Sequence, residues 1–162
     1  MNVEFVNPFV ESIYELFGTL LSSKVVRTGL SITEGHQMPH EVMALIGFSG
    51  VMRGTVALAL PAHTCQQMVA RLLGIEVADD DESVSDAIAE MVNIVGGSAK
   101  AKLSQKVKQT LELSLPVVFR GDDFDVYSPS KAVWVEVPFE SELGPLRLRL
   151  SFKSNQSVSH PV

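Results

Sequence analysis

Apolar and polar residues follow helical spacing from Ser83 to Leu113, which predicts one long amphipathic helix with Ser83 as its N-cap. At about 100° per residue, one side of this helix collects apolar residues. They are Ile88, Met91, Val92, Val95, Ala99 and Leu103. The other side carries Asp86, Glu90, Asn93, Gly97, Lys100 and Ser104. A polar face turned to solvent is the simplest interpretation of this line, and a face that meets another molecule is the alternative.

The chain as a whole predicts two rounds of the same order of elements, a helix followed by three strands. The first round contains a helix from Asn7 to about Ser22, strands over 25–33, 42–48 and 55–60, and a further helix over 64–73 that Gly74 ends. The long helix opens the second round, which continues with strands over 116–119, 132–139 and 146–152. Strict alternation of apolar and polar residues over 146–152 is typical of an antiparallel sheet with one covered face.

This repeated order indicates an internal duplication. Laying the first helix over the long helix places Asn7 on Asp86, Glu11 on Glu90 and Tyr14 on Asn93. We therefore predict an α+β domain with one largely antiparallel sheet of about six strands and with helices packed on it.

The composition narrows the classes of function. A chain of 162 residues, 46% of them hydrophobic, can bury its own core, and we predict one domain over 1–154 with a flexible tail over 155–162. The formal net charge of −6, without a basic stripe, argues against nucleic-acid binding. Cys65 is the single cysteine and no signal peptide is evident, so a cytoplasmic protein is expected. Arg53 and three glycines argue against a membrane span over 42–60.

Other candidate sites in the sequence are weaker. His36 and His40 have the spacing of helical metal ligands, but Pro39 argues against a helix there, and no metal site is expected. No glycine-rich loop matches a nucleotide-binding pattern, so no bound cofactor is expected. Cys65 has no evident activating partner and is interpreted as a small buried residue.

One spacing on the polar line has a close parallel in a known family. The pattern Asp86-x3-Glu90-x2-Asn93, followed after twenty-two residues by Pro116, resembles the signature of the CheC/CheX/FliY phosphatases of bacterial chemotaxis. The helix that starts near residue 7 and the repeated order of elements are also similar to this family. The resemblance covers nearly the whole chain, is closest to the CheX subtype and favours a functional polar face. It implies a CheC-like duplicated fold.

The resemblance also implies an activity and a partner. The substrate would be the aspartyl phosphate of a phosphorylated CheY-like response regulator, with Mg²⁺ held by the regulator and not by this chain. As catalytic residues, Asn93 would orient the attacking water and Glu90 would pair with the regulator's active-site lysine. Asp86, Gly97 and Lys100 lie on the same face and are expected to contact the partner.

The first helix departs from the family's pattern of active helices. It has Tyr14 where an active helix carries asparagine, so it is expected to be inactive. This difference favours the CheX subtype, which is dimeric, and a homodimer is expected. Arg147 and Arg149, on the outer side of the last strand, would then meet water or a partner. Two alternatives with the same fold lack catalysis: a module that docks a receiver domain, and a purely structural dimer.

Overall fold

The computed structural model describes residues 3–34, 40–50, 52–78, 82–106, 111–124 and 133–154. Its α-helices in these ranges are α1 at Asn7–Glu15, α2 at Ala62–Leu73 and α3 at Glu82–Lys106. A 3₁₀ turn at Val3–Phe5 precedes α1, and a π-helical turn at Leu16–Leu20 continues it. Gly74 ends α2 in the left-handed conformation, with a φ of 72° that favours glycine.

The strands of the described residues form one sheet of eight. They are β1 at Val25–Arg27, β2 at Ser31–Glu34, β3 at His40–Gly50, β4 at Met52–Leu60, β5 at Leu111–Leu113, β6 at Val117–Phe124, β7 at Val133–Ser141 and β8 at Leu146–Ser154. The order across the sheet is β1-β7-β8-β4-β3-β5, with β2 also paired to β7 and β6 to β3. Every pairing is antiparallel, which confirms the predicted α+β class.

The sheet is built from two similar halves that interlock. The hairpin β3–β4 and the hairpin β7–β8 meet at the centre, where β4 pairs with β8. The first two strands of each half cross to the hairpin of the other half, so that β1 and β2 pair with β7 while β5 and β6 pair with β3. The two rounds of helix and strands predicted from the sequence therefore share one sheet and one core.

The helices pack on one face of this sheet, where apolar side chains from alternate strand positions meet them. On β8, the inward residues Leu148 and Leu150 are fully buried, as the alternation over 146–152 predicts. Phe9 of α1, Phe48 of β3 and Phe152 of β8 form an aromatic group with ring centroids 5.3 to 6.0 Å apart. This group joins the first helix to both hairpins.

The eight strands exceed the predicted number of about six because two strands are added, β5 and a second strand within 25–33. The stretch 25–33 forms two short strands instead of one. Opposite the break lies Pro138 of β7, which can accept a ladder hydrogen bond but has no N–H to donate. Its carbonyl accepts from the Thr28 N–H at 2.9 Å, and Gly29 lies against its ring.

The boundaries of the helices also differ from the prediction. Helix α3 begins at Glu82, so Ser83 lies in its first turn and is not the N-cap. The predicted extension to Leu113 is wrong, because α3 ends at Lys106 and Leu111–Leu113 pairs with β3 as β5. Apolar residues at 111 and 113 fit either spacing, and pairing with the sheet decides between them. In the first helix, helical structure ends at Leu20 and not at about Ser22.

The outer face of β8 is partly covered by the chain itself. Arg147 is half-exposed, and one of its nitrogens donates to Glu136 at 2.7 Å. Arg149, in contrast, is only 3% exposed, and its guanidinium carbon lies 5.0 Å from the ring centroid of Trp134. Its Nε lies 3.2 Å from Glu136 Oε2, as an ion pair without hydrogen-bond alignment. The expectation that Arg149 meets water or a partner is therefore wrong.

Candidate functional site

Helix α3 presents the predicted polar line on its outer side. Asp86 and Glu90 are exposed, whereas Asn93, Gly97 and Lys100 are half-buried and still accessible. The opposite side lies in the core, with Ile88, Met91, Val92, Val95, Ala99 and Leu103 no more than 2% exposed. Glu90 and Asn93 are separated by about one helical turn, so both can reach a molecule that approaches α3 from this side.

The acidic and amide side chains of this line have no hydrogen-bonding or ionic partner among the described residues. In the ranges that the structure describes, Asp86, Glu90 and Asn93 form no side-chain hydrogen bond or ion pair. A carboxylate offers acceptors only, whereas the amide of Asn93 offers both a donor and an acceptor. These groups are available to another molecule without the loss of an internal contact.

Two adjacent glycines in α3 have different surroundings. A Cβ at Gly96 would lie 3.5 Å from Ile46 in the core, whereas a Cβ at Gly97 would have no atom of the described residues within 4 Å. Glycine costs a helix about 1 kcal/mol relative to alanine. Close packing gives a structural reason for Gly96, but no contact within the described part of the chain explains Gly97. The open space over Gly97 lies on the polar line and allows close approach of another chain.

Helix α3 is held from both sides. Ser98 Oγ and Lys102 Nζ donate to the carboxylate of Glu15, at the end of α1, at 2.8 and 2.5 Å. Hydrogen bonds from Lys102 and Ser98 keep the pKa of Glu15 below its ordinary value. On the other side, Arg120 of β6 donates to Ser85 Oγ at 3.4 Å. Sequence reasoning missed these contacts because helical spacing within one element does not reveal which residues face it from another element.

The first helix has a corresponding line of residues, but with Tyr14 at the position of Asn93. Tyr14 is exposed, and its hydroxyl accepts a hydrogen bond from the Arg27 N–H at 3.0 Å. Its ring meets the edge of Phe139 at a centroid distance of 6.0 Å and an angle of 76°. Tyr14 is thus bound to β1 and β7, and it carries no amide at the position that corresponds to Asn93.

The other residues considered in the sequence have simpler positions. Cys65 is buried in α2, His40 begins β3 and Pro116 directly precedes β6, while His36 lies outside the described residues. Among the described residues, no three histidine, cysteine or acidic side chains are grouped as a metal site would require. None of the helices in the described ranges combines the length and the apolar character needed to cross a membrane.

Comparison with known protein families identifies the family of this chain. The family model of the chemotaxis phosphatase CheX matches residues 42–140, which contain α3 and most of the sheet. The chain belongs to the CheX family of chemotaxis phosphatases. This match confirms the resemblance and the expected enzyme class, a phosphatase. A CheY-P phosphatase CheX from Thermotoga maritima is 28% identical over 156 residues, which cover 95% of this chain and 99% of that protein.

Solved structures agree with this assignment. A CheC-like superfamily protein from Shewanella sp. PV-4 superposes with a TM-score of 0.86 at 25% identity, over 95% of this chain and 100% of that one. CheX from Borrelia burgdorferi, solved in a complex with CheY, BeF₃ and Mg²⁺, gives a TM-score of 0.77 at 18% identity, over 94% and 100%. These likenesses confirm the predicted CheC-like fold.

Proposed function

We propose that this member of the CheX family is a phosphatase of a phosphorylated CheY-like response regulator. The name of the Thermotoga relative supports this substrate, because that protein is a CheY-P phosphatase. The observation that carries the proposal is the accessibility of Glu90 and Asn93 on one side of α3, without partners in the described chain. Both residues stand in the spacing that resembles the family signature.

In this proposal, Asn93 is the catalytic residue that orients water. An aspartyl phosphate is a mixed anhydride that already reacts with water, so correct positioning supplies much of the acceleration. The amide oxygen of Asn93 accepts from the water and its nitrogen donates to the water. The water oxygen forms a new bond to phosphorus while the bond from phosphorus to the aspartyl oxygen breaks. The products are the aspartate carboxylate and inorganic phosphate.

Glu90 has a docking role in the same proposal. Its carboxylate pairs with the active-site lysine of the regulator and so fixes the angle at which Asn93 enters. An ion pair in a dehydrated interface contributes to both orientation and affinity. Asp86, Gly97 and Lys100 extend the contact along α3, and the open space over Gly97 admits the regulator's backbone.

The metal ion of the reaction belongs to the regulator. The Borrelia complex of CheX with CheY contains BeF₃ and Mg²⁺, and it supports a regulator that brings Mg²⁺ with it. When bound by the regulator, the ion would supply positive charge next to the phosphoryl group. A homodimer and a cytoplasmic location complete the proposal. Sedimentation at micromolar concentration tests the dimer, and a single monomeric species would contradict it.

A catalytically silent docking module of the same fold is the alternative function. The distinguishing experiment phosphorylates a CheY-like regulator with a small phosphodonor, removes the donor and follows phosphate release with catalytic amounts of the protein. A phosphatase accelerates release by at least about tenfold over the regulator alone. Binding of the regulator without acceleration would support the docking module instead. The absence of both binding and acceleration would leave the structural dimer.

A further inference from the structure

The first helix carries a second line of exposed residues, with the same spacing as the polar line on α3. Four of the exposed residues of α1 and its π-helical turn are Asn7, Glu11, Tyr14 and Gly18. They stand in the same order and spacing as Asp86, Glu90, Asn93 and Gly97. The sheet shows that α1 and α3 open equivalent halves of one duplicated fold. The two lines can therefore be compared position by position, to see which residue types they share and where they differ.

Both lines carry a glycine, Gly18 on α1 and Gly97 on α3. Among the described residues, no atom lies within 4 Å of a Cβ placed at Gly18 or at Gly97. Each glycine weakens helical structure by about 1 kcal/mol, and neither gains a close internal contact in return. At Gly97, the open space fits the approach of a regulator. The equivalent space over Gly18 fits the same kind of partner.

The acidic residue has also been kept. Glu11 is exposed, and it forms no hydrogen bond or ion pair with the part of the chain that the structure describes. It occupies the position of Glu90, the proposed partner of the regulator's lysine. A carboxylate at this position offers a receiver domain the same charge on both helices.

The two lines differ at the position of Asn93. Tyr14 replaces the asparagine, its hydroxyl accepts from the Arg27 N–H, and its ring is packed against Phe139. This position carries no amide, the group that is proposed to orient the attacking water at Asn93. The first line therefore has the features expected for docking and lacks the feature proposed for hydrolysis.

We propose that the α1 face formed by Asn7, Glu11, Tyr14 and Gly18 is a second docking surface for a phosphorylated receiver domain, which it binds without hydrolysis. The inference rests on the proposed function, because the partner of α1 is argued from the proposed partner of α3. One face of the protein would thus release phosphate while the other face holds a regulator whose phosphate stays in place.

The test blocks α3 and asks what still binds. Each single-domain CheY-like regulator encoded in the same genome is loaded with BeF₃⁻ and Mg²⁺, and the tightest binder to the wild-type protein is used for titration calorimetry. Glu90→Lys reverses the charge on α3, and we expect it to retain binding within roughly tenfold of wild type. Adding Glu11→Lys, or separately adding Gly18→Leu, should weaken this residual binding by a further tenfold or more. Glu142→Lys, in the exposed turn before β8, is the matched charge control and should add nothing.

Three outcomes would overturn the inference. Glu90→Lys binds no regulator, or its residual binding is insensitive to Glu11→Lys and to Gly18→Leu. In the third outcome, these changes on α1 alter the sedimenting mass of the free protein and not regulator binding, which would make α1 a contact between two copies of the chain. Phosphate release by the wild-type protein is measured separately, so a failure of the proposed phosphatase activity is recognised independently of the titration.

Discussion

Glu15 at the end of α1 and Lys102 of α3 form an ion pair of 2.5 Å, which joins the two helices that carry the two polar lines. Ser98 Oγ donates to the other carboxylate oxygen at 2.8 Å. The hydrogen bonds from Lys102 and Ser98 lower the pKa of Glu15 relative to its ordinary value. The orientation of α3 therefore depends in part on the charge of one carboxyl group.

This pair predicts a pH dependence of stability. A carboxyl whose folded pKa is lowered stabilises the protein above its unfolded pKa, and that contribution is lost as the pH falls through the folded pKa. Because Glu15 is largely exposed, Glu15→Gln should lower the Tm at neutral pH by at most about 3 °C. Between about pH 7 and pH 3, the difference in Tm between wild type and Glu15→Gln should shrink.

The control for this prediction is Glu112→Gln on β5, an exposed glutamate without a side-chain partner in the described ranges. Its Tm should follow that of wild type at each pH. Thermal unfolding followed by circular dichroism gives both curves. A constant difference between Glu15→Gln and wild type over the whole pH range would contradict the assigned role of Glu15.

The buried arginine on the outer face predicts an asymmetry between its two partners. Burial lowers the pKa of Arg149, and the nearby carboxylate of Glu136 opposes that effect. Glu136→Ala removes the counter-charge of a buried cation, so we expect a loss of about 2 kcal/mol in unfolding free energy. Arg149→Met removes the charge itself, retains much of the packing on Trp134 and should cost less than Glu136→Ala.

Urea unfolding measures these free energies. Glu140→Ala on the same strand is the control, because Glu140 is exposed, and its effect should stay within about 0.5 kcal/mol. If Arg149→Met is the more damaging change, then packing of the guanidinium on Trp134, and not compensation of its charge, dominates at this site.

The sequence predicted the class of fold because local spacing and repetition carry that information. Alternation over 146–152 identified the buried face of β8, and helical spacing separated the two sides of α3. Strand pairing was less accessible. The two strands within 25–33 depend on Pro138, which is distant in the chain, and the short strand β5 depends on pairing with β3. Such contacts are decided by tertiary structure and not by local propensity.

The candidate site divides in the same way. Asp86, Glu90 and Asn93 were found because a short spacing within one helix places them together. The contacts that hold this helix, from Glu15 and from Arg120, involve other elements whose register the sequence does not specify. The burial of Arg149 was missed for the same reason. An arginine that alternates with leucines along a strand is expected to face solvent, and only the tertiary structure shows that Trp134 and Glu136 cover it.

The two glycines of α3 predict opposite effects of substitution on stability and on docking. Gly97→Ala should stabilise the fold by up to about 1 kcal/mol, because the new methyl group meets nothing and favours the helix. Measured in the Glu11→Lys background, in which α1 no longer binds the regulator, Gly97→Leu should weaken binding of the BeF₃⁻-loaded regulator by about tenfold or more, because its side chain fills the open space on the polar line. The neighbouring Gly96→Ala, which points toward Ile46, should leave binding unchanged. Wild-type affinity in Gly97→Leu would show that Gly97 does not contact the partner.

Glu90 and Asn93 should differ in the kinetic step that each one affects. Glu90→Ala removes the proposed intermolecular ion pair, so the affinity for the regulator and the rate at low regulator concentration should fall together. Saturating regulator should recover much of the rate. A rate that stays low at saturation, with unchanged affinity, would assign Glu90 to the chemical step instead of docking.

Asn93→Ala should have the complementary effect. The change removes the amide that orients water but leaves the exposed acidic residues of α3 in place, so binding of the BeF₃⁻-loaded regulator should stay close to wild type. Phosphate release should fall by about 100-fold, or about 2.7 kcal/mol, which is typical for the loss of one oriented catalytic donor. The matched control is Gln105→Ala, which deletes an exposed amide near the end of the same helix and should retain the wild-type rate. If Asn93→Ala releases phosphate as fast as wild type, water is not positioned by Asn93 and the mechanism proposed for α3 is wrong.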